Sequence, residues 1–98
     1  MKAYLFVFDN AQIAREIVIK RLDKMSKVLN WYAFFENTLC LASYDDAKTI
    51  SRMVREAFPD LRFIITEVDP EKRGGRLPRS VWSFLDEPQP ADVSTEDA

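Results

Sequence analysis

Lys72-Arg73-Gly74-Gly75-Arg76-Leu77-Pro78-Arg79 sets four positive charges in eight residues around the only two glycines of the chain. Arginine forks beside a proline-opened helix N-terminus suit phosphate or carboxylate, because guanidinium donors and orphan backbone N–H groups then face one anion. Lys72, Arg73, Gly74, Gly75, Arg76 and Arg79 are therefore the candidate partner- or anion-binding residues. The plainer reading is a solvated connector whose charges pair with Asp69 and Glu71. Its candidate ligands are a dinucleotide or nucleic-acid phosphate and an acidic protein. Four charges make a small patch for sequence-independent DNA binding.

Asp9 is the second chemical candidate. It closes the apolar run Lys2–Phe8, and two copies of it paired across a dimer could hold a hard cation. Gln12, three residues on, gives capping-box spacing, which makes Asp9 a structural helix cap instead. Most other chemistry is excluded by composition. The chain has no histidine and one cysteine, so an imidazole base, a thiol–imidazole pair and a tetrahedral zinc site all lack their parts. Gly74-Gly75 lacks the spacing and the following Lys-Ser/Thr of a nucleotide phosphate loop. No catalytic residue, metal ligand or cofactor is expected, with a metal-bound Asp9 as the alternative.

These residues hang on a short, strongly patterned chain. Lys2–Phe8 alternates with apolar residues on both faces, as a central strand does. After Asp9-Asn10, the residues Ala14, Ile17, Val18, Leu22 and Met25 recur at helical spacing. Lys27–Phe35 and Thr38–Tyr44 read as a hairpin around Glu36-Asn37. Asp45-Asp46 opens a second amphipathic helix through Ala47, Ile50, Val54, Ala57 and Phe58, and Leu61–Val68 is a fourth strand. Strand, helix, strand, strand, helix, strand within fewer than seventy residues predicts an α+β, ferredoxin-like βαββαβ sandwich. Two helices then cover one face of a four-stranded antiparallel sheet. Residues 1–69 form this core. Residues 70–86 form the basic Gly-Gly loop and a short helix, which must dock on the core or on a second subunit to be stable. Residues 87–98 read as a disordered acidic tail.

With 98 residues and 47% hydrophobic side chains, the chain has room for one domain and one core. The net charge of −2 hides an asymmetry: five of the sixteen acids lie in residues 86–98, so residues 1–85 carry 14 bases against 11 acids. Cys40, alone in an apolar run, reads as a buried thiol of a reducing compartment. The Met-Lys-Ala-Tyr start runs straight into a strand, without the charged and long apolar segments of a signal peptide or membrane span. A cytoplasmic protein without membrane partners is expected.

Tyr4-Leu5-Phe6-Val7-Phe8-Asp9, followed by a helix, an aromatic hairpin, a second helix and a fourth strand, resembles the CRISPR-adaptation nuclease family and its toxin-like relatives. The resemblance covers the topology of residues 2–69, and its sharp motif is the aromatic-Asp of Phe8-Asp9. It implies a small dimer whose first strand ends in the proposed metal-ligating aspartate. The chain departs from that family in lacking a basic run after Asp9 and in its Arg76-Leu77-Pro78 extension. The same element order is similar to RNA-recognition motifs, and Leu5-Phe6-Val7 resembles the first of their two signatures. Thr38–Tyr44 lacks the glycine, the base and the central aromatic of the second.

Tyr4, Phe6 and Phe8 are expected on the sheet face away from the two helices, where a patch that large marks an interface. The C-terminal helix, through Trp82, Phe84 and Leu85, and a second copy of the chain are its two candidate covers, and a homodimer assisted by that helix is expected. The resulting reading is a non-enzymatic binding or regulatory module that acts on a protein partner, such as an accessory or mobile-element-encoded inhibitor. A metal-dependent nuclease using Asp9 and an RNA-binding module are the alternatives.

Overall fold

Apolar side chains on both faces make Lys2–Phe8 (β1) the strand around which the sheet is built. The computed structural model describes residues 1–91. After β1 come α1 (Arg15–Leu22), β2 (Asn30–Phe35), β3 (Thr38–Ser43), α2 (Ala47–Ala57), β4 (Phe63–Glu67) and α3 (Arg79–Asp86). The protein is α+β: among the described residues, one four-stranded antiparallel sheet, in the order β2-β3-β1-β4, stands with three helices. No helix of the described residues is long and apolar enough to cross a membrane.

The register divides the side chains between two faces. Tyr4 and Phe6 stand opposite Leu41 and Leu39 of β3, and Phe6 and Phe8 stand opposite Ile65 and Phe63 of β4. These large residues form one cluster with Val18 and Leu22 of α1 and Ile50 and Val54 of α2. Ala3, Leu5 and Val7 point to the other face with Thr38, Cys40 and Ala42. The smaller side chains there let α3 approach closely, and Val81 and Leu85 pack against Ala3 and Cys40.

Tyr4, Phe6 and Phe8 thus lie beneath the two longer-range helices of the core, not on the opposite face. Tyr4 and Phe6 are fully buried and Phe8 is 2% exposed, so the expected aromatic interface is corrected to a core. Alternation defines two faces without saying which one the helices cover. Pairing bulky residues of β1 with bulky residues of β3 would have told them apart.

The first helix also differs from expectation. It starts at Arg15, with Ala14 as an N-cap that offers no side-chain hydrogen bond. Both members of the expected capping box are taken elsewhere. The Asp9 carboxylate accepts from the Ala11 N–H and from Arg62, while Gln12 donates to the Asp60 carbonyl and accepts from the Arg62 N–H. Residues 9–13 are therefore a turn stitched to the start of β4. With the helix starting late, Ile17 is 53% exposed rather than part of the buried stripe. At α2 the reading holds: Asp46 is the N-cap, and its carboxylate accepts from the Thr49 N–H at 2.8 Å.

The segment after α3 is tied down at its start. Ala91 N–H donates to the Leu29 carbonyl at 2.8 Å, and the Asn30 side chain donates to the Gln89 carbonyl. The tail expected to be disordered from residue 87 therefore follows the outer edge of β2 as far as Ala91; its remainder lies outside the described residues.

Candidate functional site

Of the four cations in the 72–79 segment, Arg73 is part of the packed structure. Its guanidinium carbon lies 4.3 Å from the centre of the Trp82 ring and its fork pairs with Asp86. Its Nε is buried without a hydrogen-bond partner among the described residues. Gly75, with φ +154°, lies against the edge of the same indole, where a side chain would be strained whatever space it had. Arg73, Gly75, Trp82 and Asp86 together clasp the loop before α3 onto that helix. Lys72, Gly74, Arg76 and Arg79 remain exposed. Those three cations make no ion pair among the described residues.

Trp82 and Phe84, expected at an interface, are half-buried within the chain's own second cluster. Phe84 meets Tyr32 edge-on, with 6.3 Å between ring centres, and Tyr32 hydrogen-bonds Ser80 through its hydroxyl. The innermost residues of α3 are Val81 and Leu85. On the α3 side of β1 and β3, Leu5 and Val7 are half-buried, Thr38 is buried, and neither strand turns an aromatic ring there, since every aromatic of β1 lies under α1 and α2.

Asp9 stands apart from other acids. Its carboxylate pairs with Arg62 at 2.7 Å, and that hydrogen bond first, with the Ala11 N–H second, holds the group below the usual carboxylate range. No three His, Cys, Asp or Glu side chains come together among the described residues. Cys40 is fully buried, and burial pushes its thiol up to about 12, far from the thiolate that reactivity needs.

The site that sequence reasoning missed lies between α2 and β4. An open groove of about 790 Å³ runs there, floored by Leu61, Phe63 and Ile65 and flanked by Lys48, Arg52, Arg55 and Arg62. Its lining includes these four cations and no carboxylate. Arg62 is committed to Asp9, whereas Lys48, Arg52 and Arg55 are exposed and make no ion pair among the described residues. Their spacing of four and three residues places all three on one stripe of α2, beside the buried stripe of Ile50 and Val54. That polar stripe is visible in the sequence at Lys48, Arg52 and Arg55, beside the apolar one.

β4 is an edge strand, and no strand of the described residues pairs with its outer side. The Asp9 N–H donates to the Arg62 carbonyl, and the Val68 N–H donates to the Ala3 carbonyl. Because hydrogen-bonded pairs alternate along an antiparallel ladder, residues 62, 64, 66 and 68 turn their N–H and C=O groups toward β1. Phe63 and Ile65 turn theirs outward, into the groove. The result is an antiparallel α+β sandwich whose β4 edge, unpaired among the described residues, lies under a row of cations. The chain matches no family model, no curated protein and no solved structure.

Proposed function

We propose that this chain is a ferredoxin-like, non-enzymatic module of the cytoplasm that binds an acidic protein partner in the groove between α2 and β4. The observation that carries the reading is the groove's one-sided charge: three unpaired cations over an open strand edge, with no acid in the lining. Long-range attraction from such a row speeds and orients encounter, and the apolar floor supplies contact area. Lys72, Arg76 and Arg79 add a second positive region that an acidic partner can also meet. The aromatic-face motive for a homodimer is gone. The apolar strip of Leu5, Val7, Phe34 and Ile64 beside α3 is the surface left for self-association.

An anisotropy titration of the full chain tests this reading. Dye-labelled acidic peptide and single-stranded RNA and DNA of equal charge are compared at two salt concentrations. The acidic peptide should bind with strong salt dependence, and Arg52→Glu with Arg55→Glu should abolish binding while the far-UV spectrum and melting temperature hold. Tighter binding of RNA, insensitive to these changes, would favour the RNA-binding alternative. Divalent-metal-dependent cleavage of either nucleic acid, lost in Asp9→Asn, would overturn the non-enzymatic reading in favour of the nuclease.

A further inference from the structure

We infer that the partner segment enters this groove as an antiparallel fifth strand, with acidic and apolar residues alternating along it. This rests on the groove being the binding surface, and adds the mode of recognition and the pattern recognised.

Three observations on β4 lead there. First, Phe63 and Ile65 present two N–H and two C=O groups outward. This is the row of unmet hydrogen bonds to which an extended chain adds. Second, a strand placed against that row has its own two faces. On the α2 side its residues stand beneath Lys48, Arg52 and Arg55. On the other side they stand beside Ile64, a large apolar residue 61% exposed at the edge, and Thr66. Acids belong on the first face and branched apolar residues on the second, since neighbours on one face of a sheet interact directly. Third, the spacings agree. Four and three helical residues separate the cations by about 6 Å and 4.5 Å along α2, and same-face residues of a strand recur every ~6.7 Å. Flexible lysine and arginine stems take up the difference.

The opposite edge is differently equipped. β2 has Ala91 and Gln89 bonded at its start, a register irregularity between Ala33 and Phe35, and the Arg15 side chain bonded to the Phe35 carbonyl. These are devices that keep an edge from pairing. β4 carries none of them among the described residues, and its cations stand to one side of the edge.

The register makes a sharp chemical demand. In an antiparallel pair, residues directly opposite one another share a face, and every second such pair exchanges both hydrogen bonds. Partners of Phe63 and Ile65 therefore point their side chains toward α2, so the acidic residues of the ligand also carry the bonding backbone groups. The apolar residues turn their amides to solvent.

The test uses the full chain and four synthetic octapeptides of one composition: alternating Glu and Val; four Glu followed by four Val; the alternating peptide N-methylated at its glutamates; and the same N-methylated at its valines. The alternating peptide should bind on the order of tenfold more tightly than the block peptide. N-methylation at glutamate should abolish binding and N-methylation at valine should leave it. In amide exchange, the Phe63 and Ile65 N–H groups should slow on the order of tenfold with bound peptide, whereas those of Ile64 and Thr66, already bonded to β1, should not change. Equal binding of all four peptides, lost in Arg52→Ala with Arg55→Ala, would overturn the strand mode and leave the acidic-groove reading standing. Loss through valine methylation instead would overturn the antiparallel register. Binding of none of them would overturn both the inference and the reading beneath it.

Discussion

Replacing Trp82 by alanine should unclasp the 73–75 loop from α3 and thin the cluster beneath that helix. The indole keeps most of its surface out of water against the cluster of Ala3, Cys40, Val81 and Leu85 and beside Gly75, and carries the Arg73 guanidinium on one face. About 100–150 Å² of apolar surface returned to water, at ~25 cal/mol per Å², costs roughly 2.5–4 kcal/mol. Loss of the cation–π contact adds about 0.5–1 kcal/mol. Such a loss takes a large share of the roughly 5–15 kcal/mol that holds a domain of this size, so the melting temperature should fall by about 12–40 °C. Thermal and urea unfolding followed by far-UV circular dichroism measure it. A double-mutant cycle with Arg73→Ala sharpens the reading, because the arginine's contribution runs partly through the ring. Arg73→Ala should cost about 1–2 kcal/mol in the parent and less by about 0.5–1 kcal/mol in the Trp82→Ala background. A melting temperature within about 4 °C of the parent would refute the clasp. So would an equal cost of Arg73→Ala in both backgrounds.

Replacing Lys72, Arg76 and Arg79 together by alanine should change the melting temperature little, since exposed charges contribute little to stability; adding Arg73→Ala to that set should lower it clearly. Asp9 should make stability pH-dependent. Its folded carboxyl titrates below the ordinary ~3.9, so its contribution is complete above that value and is lost as pH falls through the lower folded value. Urea midpoints measured from pH 5 down to pH 2 should therefore fall less steeply in Asp9→Asn than in the parent, and parallel slopes would count against the Asp9–Arg62 tie. Cys40 should resist thiol reagents in native buffer at pH 8 and react fully in urea; rapid native labelling would mean that the α3 face opens readily.

The element order was legible from Lys2 to Glu67 because period-2 and helical runs are clean and long there. The start of α2 was legible because Asp45-Asp46 places acids at a helix N-terminus, where the Asp46 carboxylate takes the Thr49 N–H. Asp9 failed by the same logic: Arg62, more than fifty residues away, and the Ala11 N–H hold its side chain, and local spacing cannot see a distant competitor. The aromatic face failed because alternation fixes two faces without ranking them. At the 72–79 segment, composition revealed four charges but not that Arg73 would lie flat on Trp82. The α2 groove was half legible, since Lys48, Arg52 and Arg55 form a helical stripe, but its meaning depends on β4 being an edge, which only the sheet order reveals.

The unequal edges of the sheet also limit how this protein can assemble with itself. A molecule with two open edges adds copies at both and grows into a filament, whereas one with a single open edge runs out of places to add. Here β2 is held by the chain's own Gln89–Ala91 segment and broken by an irregular register, leaving β4 as the one receptive border among the described residues. Edge-to-edge pairing through β4 therefore closes at two molecules related by a two-fold axis. It would bring two rows of like charge, Lys48, Arg52 and Arg55, against each other. That repulsion disfavours a second copy at β4 and leaves the border to the acidic strand proposed above.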